Sequence, residues 1–365
     1  MLLSSASLAS SYELEAVYAG HVLTNLSGGL QRGSRYLDNL DLILEIDVAE
    51  ALRSGSGTLF VHGLYTNGGT FSDELVGDLQ IVSNIEAEEA WRIFQLWYEL
   101  GGETWSVRTG LYDLNSEFDV NETGSLFLHS SHGTGADLGQ TGENGPSIFP
   151  ISSLALRGEV QLESFSARVA VLDAVPGHPD DSASNAIDLN SDDGYLTIAE
   201  LGLPVTESAR LWAGYWRYSG EFESLSDEGF LAGNDGWYVG GEHRFRIGSR
   251  SAAWFLRHGQ AEERLNELKD YTGLGIVIDG PIAGRPDDQF GIAVASGRAG
   301  APYRDNLNQA GGGAARRETA WEVTYRAQIS SHFSLQPDIQ YVQYPAASTE
   351  LDNALIIGLR FEMAY

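Results

Sequence analysis

Ionisable, amide and indole side chains recur in this chain at every second position of extended apolar segments. Asp41, Glu45 and Asp47 interleave with Leu40, Leu42, Leu44, Ile46 and Val48. Gln95 and Glu99 interleave with Phe94, Leu96, Tyr98 and Leu100, and the same parity puts Trp91 and Trp97 on the polar side. Arg108 follows Trp105 and Val107, Arg157 and Glu159 share one side, and Arg168 lies between Ala167 and Val169. Arg210 shares its side with Trp212 and Trp216, while Glu242 and Arg244 oppose Trp237, Val239 and Phe245. Arg326 sits between Tyr325 and Ala327. Rows of this kind hold hydrogen-bond donors and acceptors in fixed orientation beside flat ring faces. Their chemistry is transient hydrogen bonding to a polar solute, with many of the charges pairing across strands to keep the row wet.

Bond-making chemistry finds little support. His129-Ser130-Ser131-His132 is the one cluster with a nucleophile beside a base, and it lacks a strand–elbow–helix frame. Gly133 to Gly139 is Gly-rich but no helical pattern follows, so it makes a poor phosphate cradle. The eight histidines show no metal-ligand spacing. Asp188 to Gly194, with Glu200 beyond, echoes a calcium loop, but its Gly and Glu arrive one residue late; a turn into the strand at Tyr195 is the expected structure. With no cysteine, thiol catalysis, disulfides and Cys-ligated metals are excluded. The expectation is a protein without a catalytic centre, metal or cofactor. A net charge of −29 also argues against nucleic acid, which needs a basic face. The cations are nearly all Arg, with Lys269 the only lysine.

The elements that must position these rows are strands. At the end of the chain Leu351, Leu355, Ile357, Leu359, Phe361, Met363 and Tyr365 fall on one side, and Asp352, Gly358, Arg360 and Glu362 on the other. A long apolar strand at a free end would be a sticky edge in a soluble sheet. In a transmembrane barrel it closes the sheet, with its apolar face to lipid and its aromatic end at the interface. Similar alternation marks about sixteen segments: 12–25, 38–51, 57–67, 88–101, 103–113, 150–161, 164–174, 194–205, 208–219, 235–247, 251–260, 271–282, 288–297, 316–330, 332–344 and 352–365. No apolar run approaches the roughly 18 residues of a spanning helix. The expected fold is all-β: a transmembrane, antiparallel, up-and-down barrel with a water-filled lumen.

Connections fall into two kinds. Tight ones occur at Gly101-Gly102, Thr206-Glu207, Gly248-Ser249 and Ser330-Ser331; long ones span 114–149, 175–193, 220–234 and 298–315. Short turns on one rim and long loops on the other are the asymmetry of such barrels. Residues 114–149 are the candidate for a loop folded inward to narrow the lumen, with Asp113 and Asn115 at its start. Ala261 to Lys269 predicts one or two helical turns inside a loop. Residues 1–11 read as a leader remnant or disordered end, and 12–365 as a single barrel domain.

In order along the chain come Gly77-Asp78-Leu79-Gln80, Ser83-Asn84-Ile85-Glu86, Leu96-Trp97-Tyr98-Glu99, and Val107 to Phe118 (VRTGLYDLNSEF). Then come Phe127-Leu128-His129-Ser130-Ser131, Ile148 to Leu154 (IFPISSL) and Tyr271 to Arg285 (YTGLGIVIDGPIAGR) with Asp287-Asp288. Together with the terminal strand, this series resembles the carbohydrate-selective porins of Gram-negative outer membranes, the glucose porin type. The long loops depart from the family pattern, and substrate preference would differ there. The resemblance implies a sixteen-stranded barrel in the cell outer membrane that passes small sugars by diffusion, as a monomer or homotrimer amid lipid and lipopolysaccharide. A sugar carries many hydroxyls and apolar CH faces, so its pore needs donors, acceptors and an aromatic surface, with binding weak enough for release. A general or anion-selective porin, a non-transport barrel and a soluble sandwich are the competing readings.

Overall fold

The protein is described by a computed structural model covering residues 11–48, 57–178, 187, 193–226 and 229–365. The expected leader, apart from Ser11, lies outside these residues. Alternation of side-chain character becomes sixteen strands: β1 Tyr12–Ser27, β2 Gly33–Asp47, β3 Thr58–Thr66, β4 Ala90–Gly101, β5 Trp105–Tyr112, β6 Ser153–Gln161, β7 Ser166–Asp173 and β8 Tyr195–Thr206. The second half comprises β9 Ala209–Glu223, β10 Phe230–Ile247, β11 Arg250–Ala261, β12 Leu268–Asp279, β13 Gln289–Ala299, β14 Arg317–Ser330, β15 Phe333–Gln343 and β16 Ala354–Ala364. Each pairs antiparallel with the next, and β1 pairs with β16, so the sheet is a closed barrel. Closure leaves no row of unpaired backbone groups facing lipid, the condition for a sheet to survive in a bilayer.

The terminal strand shows why the pattern encodes the wall. Ile357, Leu359 and Met363 are exposed on the outside, whereas Ile356 and Arg360 are buried inside. Trp105, Trp237, Trp254 and Trp321 are likewise exposed on the outer face. Each of the sixteen segments read from the sequence holds one strand among its described residues, and the tight turns lie on one rim with the strand ends of β1 and β16.

One long connection differs from expectation. Residues 220–234 are mostly strand: β9 and β10 continue past the rim until Glu223 pairs with Phe230, so the loop is short. Residues 261–269 hold one hydrogen-bonded turn, within the one or two expected, closed by Asn266 N–H on the Glu262 carbonyl (3.1 Å). Both flanks are consumed by β11 and β12, and the Asn266 amide is fixed against Asn234 (2.9 and 3.0 Å). A separate short helix, α2 (Ala301–Gln309), follows β13, after the four-residue α1 (Ala136–Gly139).

Two segments enter the lumen, residues 67–89 after β3 and residues 113–152 after β5. Each brings its own apolar core. Phe71, Leu75, Val76 and Val82 of the first pack on Leu23, Leu37 and Ile356 of the wall. Leu114, Phe118 and Leu138 of the second pack on Trp212, Trp216, Tyr218 and Tyr238. Part of the inner wall is therefore dry, and the aqueous path runs beside these segments.

Candidate functional site: the constriction of the lumen

Between the two inward segments and the wall of β1, β2, β4 and β16 lies a cavity of about 590 Å³. Phe94 and Phe149 supply aromatic surface, their rings 6.3 Å apart and nearly perpendicular. Asp41, Asp113, Glu362 and Arg360 supply charge, and Asn115, Asn144 and Gln140 supply amides.

Phe94 reaches the cavity because of a β-bulge. The register between β3 and β4 shifts so that Gln95 faces His62 while Ile93 faces Gly63, leaving Phe94 unpaired. An extra residue reverses alternation. Trp91, expected in the polar row, is thus on the outer face, 62% exposed, its ring 4.9 Å from that of Tyr65. Phe94, expected outside, is buried within.

The remaining residues of the polar rows fall into three groups. Asp41, Asp113 and Asn115 line the cavity. Glu45 and Asp47 keep the lumen parity but sit exposed toward the short-turn rim, away from it. Arg326 is also near that rim, with Asp279 and Gln328.

A third group forms a charged ladder beneath the second inward segment. Arg157 donates to Glu99 (2.5 Å) and to Glu117 of that segment (2.6 Å). Arg108 pairs with Glu99 (3.1 Å) and lies 3.6 Å above the Trp97 ring, whose other face stacks on Phe60. Gln95 accepts the Trp97 indole N–H (3.2 Å). Arg168 pairs with Glu159 (2.9 Å), Arg210 with Glu242 (2.9 Å), and Arg244 with Glu122 (3.2 Å). Trp212 donates to Asp119 (3.3 Å) and is sealed under the loop.

Wall carboxylates have a second task, which is to accept backbone N–H groups of the irregular inward segments. Glu200 accepts from Asp119 (2.8 Å), and Glu242 from Thr123 (3.0 Å). Glu322 accepts from Leu128 (2.8 Å) and His129 (3.0 Å), and Glu318 from Leu79 (2.9 Å) and Gln80 (3.1 Å). Buried non-helical backbone needs such partners. Arg257 completes the anchoring with a fork on Asp119 (2.8 and 3.1 Å) and a bond to Asp137.

Asp113 begins the second inward segment and caps its first turn by accepting Asn115 N–H (2.9 Å). Burial pushes its carboxyl up to about 7. Residues 188–192 of the calcium-loop-like stretch lie outside the described residues. Among the described residues no group of three or more His, Asp or Glu side chains converges on a metal-sized site.

Sequence reasoning missed Phe94, Phe149, Arg360 and Glu362 as lining, and missed the whole first inward segment. For Arg360 and Glu362 the signal was present, since both share the polar parity of the last strand.

The model of the carbohydrate-selective porin OprB family matches residues 31–365. Porin B of Pseudomonas aeruginosa is 22% identical, over 97% of this chain and 87% of that protein. The high-pH structure of Pseudomonas putida OprB superposes with a TM-score of 0.86 at 19% identity, covering 97% of this chain and 94% of that one. Its low-pH structure gives 0.62 at 16% identity, covering 97% and 93%. A triple mutant of the Rhodopseudomonas blastica porin gives 0.57 at 10% identity, covering 97% and 100%; these structural likenesses speak for the fold. A family match across the whole barrel beyond β1, on a closed sixteen-stranded sheet, means that the chain belongs to the OprB family of carbohydrate-selective porins and is an outer-membrane porin for carbohydrates.

Proposed function

We propose that mono- or small oligosaccharides diffuse through the 590 Å³ cavity, with Phe94 and Phe149 meeting the apolar CH face of the ring. Asp41, Asp113, Asn115, Asn144, Gln140 and Arg360 exchange hydrogen bonds with its hydroxyls as it passes. The observation that carries this reading is the pairing of aromatic edges with carboxylates and amides in one small-ligand-sized space, within the roughly 300–1,000 Å³ of such sites. The charge balance disfavours the anion-porin alternative. Three carboxylates and one guanidinium line the cavity, while Arg108, Arg157, Arg168 and Arg210 are each held in ion pairs.

No covalent step and no cofactor enter this mechanism. Each barrel carries its own cavity, so the path is the same for a monomer or a homotrimer. The apolar outer wall, with exposed Trp105 and Trp321, suits a surround of lipid and lipopolysaccharide.

Liposomes containing the purified chain should swell in isotonic glucose, and added glucose should reduce single-channel ion current. Swelling that is absent with every sugar, together with strong anion selectivity, would replace this reading with an anion-selective porin. A barrel that conducts neither ions nor sugars would make it a non-transport protein.

A further inference from the structure

The outer wall changes character along β12, β13 and β14 toward the long-loop rim, in steps set by the register. Leu274, Val294 and Trp321 are cross-strand partners in one outward row, and Leu274 and Trp321 are exposed there. Two residues nearer the rim, Thr272, Ser296 and Thr319 form a hydroxyl row, with Ser296 and Thr319 joined at 3.0 Å. Two residues further, Asp270, Arg298 and Arg317 form a charged row. The register is unbroken between these positions, so alternation puts all three rows on the lipid side.

Arg298 and Arg317 stand directly opposite each other, a cross-strand pair of like charges that by itself destabilises a sheet. Among the described residues one carboxylate bridges them, Asp270, which accepts from Arg298 Nε and lies 3.4 Å from a terminal nitrogen of Arg317. The Asp270 side chain is 2% exposed, whereas those of Arg298 and Arg317 stay 40% and 41% open. Arg317 also donates to Ser296 Oγ (3.4 Å), which ties the charged row to the hydroxyl row. Lys269, next in the chain, is matched by Glu263 (3.0 Å). The face therefore presents two open guanidiniums against one buried carboxylate, although the chain as a whole carries −29. Cations at the edge of a low-dielectric layer are costly without counter-charge, and here the missing negative charge has to come from outside the chain.

We propose that this face binds a phosphorylated acyl glycolipid of the outer leaflet, the lipid A part of lipopolysaccharide. The three rows follow the order of its chemistry. An acyl chain lies on Leu274, Val294 and Trp321, sugar hydroxyls meet Thr272, Ser296 and Thr319, and a phosphate spans Arg298 and Arg317. Guanidinium matches phosphate oxygens in a two-pronged fork, and the phosphate charge relieves the opposed pair. Position agrees, since the long loops of such barrels are extracellular. The charged row stands about 13 Å along β14 from Trp321, at about 3.3 Å per residue. A sugar between phosphate and acyl chains fills the hydroxyl row in that interval, where a glycerophospholipid carries only an ester linkage. The proposal rests on the lipid surround proposed above and not on the sugar path.

The test mixes the full chain, purified in detergent, with equimolar lipid A and phosphatidylglycerol and reads the retained lipid by native mass spectrometry. Lipid A should be retained over phosphatidylglycerol. Lipid A stripped of its phosphates should bind about tenfold more weakly, the effect of one charge-assisted bond. Arg298→Gln and Arg317→Gln should each lose about tenfold for intact lipid A, and the corresponding Lys variants should fall between, because an ammonium cannot fork. Glucose swelling should match wild type in the Gln variants, since both residues face away from the lumen. Equal retention of the two lipids by wild type, or of lipid A with and without phosphates, overturns the proposal whether or not any variant folds. Wild-type retention in both Gln variants overturns it as well. A chain that retains neither lipid would remove the lipid surround itself, and that failure is distinct from retention of both without preference.

Discussion

Arg257 offers the sharpest test of how the constriction is held. It projects inward from β11, 3% exposed, and its guanidinium binds Asp119 and Asp137, both buried, while lying 5.2 and 5.4 Å from the rings of Tyr238 and Tyr271. Arg257→Met keeps the volume and removes the charge, leaving two buried carboxylates without a counter-ion. Breaking a buried ion pair from one side costs about 3–5 kcal/mol, and at about 1.4 kcal/mol per tenfold this is two to four powers of ten in the docking equilibrium of the second inward segment. Barrel closure does not depend on it, because the sixteen ladders are backbone bonds. The variant should therefore keep heat-modifiable migration on gels, yet show a larger and noisier single-channel conductance and weaker block by glucose. Arg257→Lys should fall between, since an ammonium cannot fork across two carboxylates. A folded Arg257→Met channel with wild-type conductance and glucose block would refute the claim that this guanidinium holds the loop.

Glu322→Ala strands the N–H groups of Leu128 and His129 at about 1–3 kcal/mol each; faster hydrogen exchange around residues 124–132 should follow, with Glu322→Gln milder. Phe94→Ala should weaken glucose block by about fivefold, corresponding to about 1 kcal/mol of ring contact; unchanged block would place the sugar elsewhere. In the first inward segment, burial pushes Glu86 up to about 7, despite its accepting N–H groups of Phe71 (2.6 Å) and Ser72 (2.8 Å). A raised carboxyl favours the docked segment when protonated. That contribution is complete below the ordinary value of about 4.3 and is lost as pH rises through about 7. Limited proteolysis of residues 71–86 should accordingly speed up between mildly acid and alkaline pH, and Glu86→Gln should remove the dependence.

The legibility of the site followed strand regularity. Where a strand is regular, as in β2 and β16, parity alone assigns Asp41 to the lumen and Leu359 to lipid. Where β4 bulges, the same rule exchanged Trp91 and Phe94, because one unpaired residue reverses every side chain on its far side. The Arg and Glu rows were visible as polar, but their division between lining and anchoring was not. That division depends on which loop reaches them, and residues 67–89 have no periodicity that marks them as entering the lumen.

The sequence by itself determined the wall: two solvents act on alternate residues, so a period of two suffices to specify strand number, closure and, where a strand is free of bulges, the face each side chain takes. Only the tertiary structure decided the aperture. Its position follows from long-range pairs such as Arg257 with Asp119 and Glu318 with Gln80, which join residues far apart in the chain through buried polar groups whose partners no local pattern encodes.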